Sequence, residues 1–310
     1  MRSNSPSAQT IAVPQGGPVG VAPPNYRLPA DLRLGEVSLQ VAQLGRSLEF
    51  YERVLGLRVI HRDERSASLA AADDEHPLVR LREHRHVSTG ARGGRLGLYH
   101  FAILLPDRAA LGRFVAHLAE IGAHAGASDH LVSEALYLRD PDGLGIEVYA
   151  DRPQGEWRAS DGELLMASEP LDLASLTAAG AGERWTGMPT GSRMGHVHLH
   201  VGDLEAASRF YHDALGLDRM VWSYPGALFL SAGGYHHHLG LNTWAGPGAR
   251  APSPEEPRLV EWRLMLAAPD VELARGSVEG AGYSTQATTD GWRVSDPWGT
   301  TLVLSIDREH

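Results

Sequence analysis

The chain of 310 residues contains no cysteine, and this absence removes two possibilities at once. Disulfide bonds cannot form, and thiolates cannot serve as metal ligands. Any metal site must therefore use histidine, aspartate or glutamate, and the 16 histidines make such a site plausible. The lack of cysteine also fits a reducing compartment.

Long apolar runs and clusters of basic residues are missing as well. No run is long enough to span a bilayer, and the first residues, Met1 to Pro6, lack the apolar core of a signal peptide. Lys and Arg number 28 against 38 Asp and Glu, so the net charge is −10. We therefore expect a cytoplasmic protein that binds neither nucleic acid nor membranes. Its partners should be small molecules, and homo-oligomerisation stays open.

A long repeat is the main feature that is present. Residues 35–41 (GEVSLQV) return as residues 195–201 (GHVHLHV), at an offset of 160 positions. Phe50-Tyr51 returns as Phe210-Tyr211 at the same offset. A repeat that holds over this distance without a gap indicates two related halves.

Each half contains two similar units. The alternation of apolar and polar residues over 36–41 predicts a half-buried strand, and the following residues to Gly56 predict a helix and its end. Short strands and turns come next, so the unit is βαβββ and the fold class is α+β. We expect four such units. The predicted divisions are a flexible tail at 1–30, a first domain of two units at 31–152, a linker at 153–192, and a second domain of two units at 193–310.

These motifs resemble the vicinal oxygen chelate superfamily, which includes glyoxalase I, bleomycin-resistance proteins and type I extradiol dioxygenases. The resemblance rests on the strand that opens with Gly195-His196-Val197, on Leu215-Gly216-Leu217 after the helix, and on the turn 140–143 (DPDG) before Glu147. Three stretches look like bacterial catechol-2,3-dioxygenases. They are residues 98–106, 129–135 and 235–242.

The resemblance implies a metal ion in a central cleft between two glyoxalase-like modules, held by the first and last strands of paired units. His100 and Glu147 occupy these positions in unit two, and His196 in unit three. If units two and three share a cleft, these residues form a set of two imidazoles and one carboxylate suited to Fe(II). If units one and two share it instead, Glu36 takes the place of His196. Mn, Ni and Zn are the alternative metals.

The resemblance also implies residues that contact the substrate. Tyr137 stands ten positions before Glu147, where extradiol dioxygenases have a substrate-contacting tyrosine. His130 lies close to the sequence position at which those enzymes have a histidine that hydrogen-bonds the substrate. In the run 236–238, a strand would send His236 and His238 to one face. This pair is expected to supply an acid–base group or a fourth metal ligand. A surface cluster without a role is the other interpretation.

These expectations together describe a ring-cleaving Fe(II) dioxygenase that acts on a catechol or hydroquinone with O2. A glyoxalase-like, metal-dependent isomerase or lyase with four ligands is one alternative. A non-catalytic binder of small molecules, like the bleomycin-resistance proteins, is the other. One fold hosts all three functions, so the site must decide between them.

Overall fold

Four consecutive βαβββ units build the protein, as the sequence predicts. The computed structural model describes residues 11–12, 19–85, 87 and 94–307. A short strand, β1 (Ile11–Ala12), precedes the units. Unit one consists of β2 (Arg33–Val41), α1 (Leu44–Arg53), β3 (Arg58–Arg62), β4 (Ser66–Ala70) and β5 (Val79–Glu83). Unit two consists of β6 (Gly97–Leu104), α2 (Arg108–Glu120), β7 (Gly126–Asp129), β8 (Ser133–Arg139) and β9 (Gly145–Asp151).

The connection between the halves carries regular structure of its own. Its strands β10 (Arg158–Ser160) and β11 (Glu163–Leu164) form a small sheet with β1, and a short helix follows, α3 (Leu173–Ala179). Leu176 of this helix is completely buried. The predicted linker is therefore packed against the units, and part of it covers the site described below.

The second half repeats the pattern of the first. Unit three consists of β12 (Arg193–His200), α4 (Leu204–Ser208) with a π-helical continuation (Arg209–Ala214), β13 (Asp218–Val221), β14 (Ala227–Ser231) and β15 (Leu239–Asn242). Unit four consists of β16 (Arg258–Leu266), α5 (Ala268–Gly280), β17 (Thr285–Ala287), β18 (Gly291–Ser295) and β19 (Thr301–Ile306).

The units pair across the two halves of the chain. One eight-stranded sheet has the order β13-β14-β15-β12-β6-β9-β8-β7 and joins units two and three, and we call it the 2–3 sheet. The other has the order β17-β18-β19-β16-β2-β5-β4-β3 and joins units one and four, and we call it the 1–4 sheet. The expected pairing of units two and three is thus confirmed. The domain limits 31–152 and 193–310 stay a prediction, because each sheet draws strands from both.

One face of each sheet packs in the hydrophobic core. Phe101 of β6, Val197 of β12 and Val37 of β2 are fully buried in a single apolar cluster that includes residues of both sheets. Because side chains alternate along a strand, the even-numbered polar residues of these three strands point to the opposite face. That face carries the polar residues singled out in the sequence.

Tyrosine–aspartate contacts tie the two sheets together, once in each half. The hydroxyl of Tyr51 donates to Asp140 at 3.3 Å, and that of Tyr211 donates to Asp296 at 3.0 Å. Each tyrosine lies on the helix of one unit and each aspartate in the last turn of the next. The repeat therefore preserves a structural contact as well as a pattern of strands.

The predicted tail at 1–30 is described only in part. Residues 1–10 and 13–18 lie outside the described residues, so the prediction of flexibility there has no test. Within 19–30, Leu28 is buried and the Arg27 guanidinium donates to the Asp218 carboxylate at 2.8 Å. This stretch lies against unit three.

Candidate metal centre

Three adjacent strands at the middle of the 2–3 sheet bring His100, Glu147 and His196 together, and we call these residues the triad. Ala102 of β6 is paired with Glu147 of β9 on one side and with His196 of β12 on the other. His100 lies two residues from Ala102 on the same strand and therefore on the same face. The small, completely buried side chain of Ala102 leaves space between the three ligand atoms.

The separations within the triad fit one metal ion. Glu147 Oε2 lies 3.0 Å from His100 Nε2 and 3.2 Å from His196 Nε2, and the two Nε2 atoms are 3.3 Å apart. Bonds of about 2.1 Å at right angles would place neighbouring ligand atoms about 3.0 Å apart. All three separations are of this neighbouring kind, so the ligands would occupy one face of an octahedron and leave the other face open.

The charge states of Glu147 and His196 also fit a cation. Burial opposes ionisation of Glu147, but His196 and His100 overcome this effect and hold the pKa of the carboxyl well below its ordinary value. Burial lowers the pKa of His196 to about 4, although Glu147 acts in the opposite direction. Two neutral imidazoles and one carboxylate are the protonation states that bind a divalent metal. The donor set therefore fits the metal that the sequence implies.

A cavity of about 170 Å³ opens over the triad. Aromatic side chains make much of its wall, with Tyr99, Tyr224, Phe229 and Trp244 among them. The connection between the halves closes one side with residues 166–168, which the sequence gave no reason to select. No Lys or Arg belongs to the lining that the structure describes.

Tyr137 and His130 both line this cavity, as predicted, and they contact each other. Tyr137 is paired with Glu147 in the antiparallel ladder of β8 and β9, so the two side chains share a face. The backbone carbonyl of Ala167 accepts from His130 Nδ1 at 2.6 Å, which leaves Nε2 to accept from the Tyr137 hydroxyl at 2.5 Å. Burial, together with the charge of Glu147, raises the pKa of Tyr137 well above its ordinary value, so the phenol keeps its proton.

The histidine run departs from the prediction. Residues 235–238 precede the strand, which begins only at Leu239, so the two-residue alternation does not apply to them. His237 lines the cavity, whereas His236 and His238 do not. The expectation that His236 and His238 share a face toward the cleft is therefore wrong.

The two histidines outside the cavity are bound elsewhere. His236 Nε2 donates to Asp151 Oδ1 at 2.8 Å. His238 Nδ1 lies 3.0 Å from the Ser231 hydroxyl and accepts from the backbone N–H of Ala232 at 3.2 Å. Among the described residues, the group whose ligand atoms could hold one metal ion contains the triad and neither of these two histidines.

His198 is a further cavity residue that the sequence suggested only as one of several on its face. Asn242 fixes its ring, because the Asn242 side-chain amide donates to His198 Nε2 at 2.9 Å. The orientation of that amide follows from its oxygen, which accepts from the Trp244 backbone N–H at 3.0 Å. Glu36, the alternative ligand, belongs to the 1–4 sheet and is paired there with Arg80 at 3.1 Å.

The sequence of the chain is similar to those of known proteins. The sequence profile described as the Glyoxalase/Bleomycin resistance protein/Dioxygenase superfamily matches residues 33–148 and 193–292. A relative from Bacillus subtilis (strain 168), named catechol-2,3-dioxygenase, is 44% identical over 272 residues, which cover 86% of this chain and 94% of the relative.

Solved structures show the same fold at low sequence identity. A Bacillus subtilis protein described provisionally as a dioxygenase has a TM-score of 0.62 at 14% identity, over 92% of this chain and 87% of its own. Glyoxalase I from Zea mays has a TM-score of 0.52 at 17% identity, over 89% of this chain and 92% of its own. By its profile match and its 44% identical relative, the chain belongs to the glyoxalase/bleomycin resistance protein/dioxygenase superfamily.

Proposed function

We propose that this protein is an Fe(II)-dependent extradiol dioxygenase that opens the ring of a small catechol or hydroquinone. The observation that carries the proposal is the facial triad at the base of an aromatic cavity. Two histidines and one carboxylate with open positions are the ligand set of non-haem Fe(II) oxygenases. The relative named catechol-2,3-dioxygenase supports the same reaction.

The number of ligands favours this function over the glyoxalase alternative. The candidate metal group among the described residues has three members, whereas the glyoxalase pattern expected from the sequence has four. His100, Glu147 and His196 would hold the ion. When bound, Fe(II) would supply the open coordination positions and the redox activity needed for a diol to react with O2.

The cavity indicates the size and charge of the substrate. Its volume of about 170 Å³ is smaller than the roughly 300–1,000 Å³ of pockets for drug-sized ligands, which favours a single ring. Aromatic walls would pack against that ring and exclude water. Because no Lys or Arg lines the described cavity, a carboxylate on the substrate would find no guanidinium or ammonium partner there.

Three side chains around the cavity would handle protons and orient the diol. His237 packs against the ligand His196, with ring centroids 4.0 Å apart, and is placed to accept a hydroxyl proton from the substrate and return it later. The bonded pair of Tyr137 and His130 would position the substrate oxygens. The acid–base role thus passes from His236 or His238 to their neighbour His237.

The test is an anaerobic purification followed by metal analysis and an oxygen-uptake assay. We expect about one iron per chain and one O2 consumed per ring opened, since a dioxygenase puts both oxygen atoms into its product. Reconstitution with Mn, Ni or Zn in parallel identifies the metal that supports turnover. Glu147→Gln serves as the matched inactive control. Iron-loaded protein that consumes no O2 with catechols or hydroquinones would refute the proposal.

A further inference from the structure

A chain of hydrogen bonds leads from the cavity into the protein behind it. His237 Nδ1 lies 2.8 Å from His236 Nδ1, and His236 Nε2 lies 2.8 Å from Asp151 Oδ1. The His236 side chain is completely buried, and 24% of the Asp151 side chain is exposed. The chain therefore connects a cavity residue to a carboxylate at the protein surface.

The chemistry of these groups assigns the protons. An ionised carboxylate only accepts hydrogen bonds, so His236 Nε2 carries a hydrogen. If His236 is neutral, its Nδ1 is an acceptor, and the hydrogen between the two rings then belongs to His237 Nδ1. His237 Nε2 is thereby left without a hydrogen, and it is the nitrogen that remains for the cavity.

We propose that Asp151 and His236 are positioning residues that hold His237 in its Nδ1–H tautomer, with a free lone pair on Nε2. The inference rests on the proposed function, in which His237 accepts a proton from the diol. A histidine in the opposite tautomer could not accept a proton at Nε2. The orientation of a catalytic histidine by a buried partner is known to matter for rate in other enzymes.

Packing prevents His236 from turning away from this arrangement. Its ring lies 4.1 Å from that of Tyr235 and 5.4 Å from that of Trp157, measured between centroids. The Tyr235 hydroxyl also donates to Asp151 at 3.3 Å and lies 2.6 Å from the Tyr149 hydroxyl. The Asp151 carboxylate is thus held by Tyr235 and by His236. Trp157, which belongs to the connection between the halves, helps to hold the His236 ring.

Two substitutions of His236 distinguish a positioning role from a merely structural one. In His236→Asn, the amide oxygen takes the position of Nδ1 and can still accept from His237. In His236→Gln, the amide reaches the position of Nε2, so it can contact Asp151 but leaves His237 Nδ1 without an acceptor. We expect His236→Asn to keep most of kcat. We expect His236→Gln to lose at least about tenfold in kcat, with KM little changed and iron retained.

The tautomer itself is the second measurement. Nitrogen-15 spectra of the histidine rings, recorded on the zinc-loaded full-length chain, report it without any turnover. We expect an Nδ1–H resonance for His237 in the unsubstituted protein and in His236→Asn, and its loss in His236→Gln. The exposed His61, changed to Gln, is the control that should alter neither the tautomer nor kcat.

Each outcome bears on the proposal separately from ring cleavage. An Nε2–H tautomer in the unsubstituted protein would overturn it, as would an unchanged kcat in iron-loaded His236→Gln. Equal losses of kcat in both variants, with the Nδ1–H tautomer kept in His236→Asn, would also overturn it. If the tautomers behave as expected but no diol is cleaved, the positioning stands and the proposed function fails.

Discussion

The two sheets have the same topology, but equivalent positions carry a candidate metal site in one and an arginine in the other. By the repeat and the strand register, the triad of the 2–3 sheet corresponds to Glu36, Glu261 and Val303 in the 1–4 sheet. Arg263 stands where the 2–3 sheet has Ala102. The small residue leaves space for an ion, whereas the large one fills that space with its own guanidinium.

Arg263 contacts both glutamates at these positions, and it also pairs with Asp290. Its guanidinium lies 3.4 Å from Glu261 and 3.5 Å from Glu36, and it donates to the Ser305 hydroxyl at 2.9 Å. Arg293 adds a second contact to Glu261 at 2.8 Å. The Arg263 guanidinium is occupied by these contacts and lies where an ion would otherwise bind. A metal with an open face could bind reactants, so the proposed function assigns the chemistry to the 2–3 sheet.

The largest effect is expected when the 2–3 sheet receives the arginine that the 1–4 sheet has at the position of Ala102. Ala102→Arg should abolish metal binding and turnover, because the guanidinium would occupy the space between His196 and Glu147. Iron per chain and oxygen uptake measure the effect, and circular dichroism checks the fold. Ala102→Ser, which adds a single oxygen, should keep its iron. Full iron content in Ala102→Arg would show that the ion lies elsewhere.

Removal of the one carboxylate of the triad should have the next largest effect. Glu147→Gln keeps the volume and should keep the fold, but an amide cannot offset the charge of a divalent ion. A bound metal contributes several kcal/mol to such reactions, so we expect turnover to fall at least about a hundredfold. Iron content and oxygen uptake with catechol are the measurements. Normal values for both would exclude Glu147 as a ligand.

Removal of a buried carboxylate from the 1–4 sheet should leave the chemistry intact. Glu261→Gln removes the carboxylate that Arg263 and Arg293 share, and it should lower the free energy of unfolding by about 1–2 kcal/mol. The estimate is modest because about two fifths of the Arg293 side chain is exposed. Urea denaturation measures stability, and iron content should not change. A loss of iron here would mean that the two sheets are not functionally separate.

The last prediction concerns pH dependence, at a contact that both halves share. Burial raises the pKa of Asp140 to about 6, above the roughly 3.9 of an unfolded aspartate. The folded state therefore binds more protons between about pH 4 and 6, and the free energy of unfolding should decrease as pH rises through this window. Asp140→Asn should flatten this dependence, since it removes the titrating group.

The counterpart of Asp140 provides the comparison. Burial also raises the pKa of Asp296, so Asp296→Asn should likewise reduce the dependence of the free energy of unfolding on pH. Urea denaturation at steps between pH 4 and 7 measures both variants against the unsubstituted chain. An unchanged slope in Asp140→Asn would show that its carboxyl does not titrate in this window.

Much of the architecture could be predicted because it depends on regular repetition. The repeat of 35–41 at 195–201 and the alternation of apolar residues predicted four βαβββ units. The pairing of units two and three was one of two alternatives, preferred because these units offered two histidines and a glutamate. Tyr137 was placed correctly because ten residues on paired strands preserve a common face.

The remaining features of the site lack regularity of this kind. His237 could not be identified, because alternation holds only in extended strands and the loop before Leu239 is not one. Gly233 and Gly234 have φ values of 65° and 76°, so the backbone turns there and resets which side chain faces the cavity. Residues 166–168 belong to no motif, since their contribution is to cover the cavity from a loop.

The junction of β6 and β12 also sets an order of events during synthesis. His196 lies 96 residues after His100, so a ribosome completes the first two units long before the last ligand emerges. Until β12 pairs with β6, the nascent chain offers one imidazole and one carboxylate but no closed facial set. Metal binding at the triad would thereby wait until both halves have met, and a chain that holds a metal there would be one whose two halves have assembled.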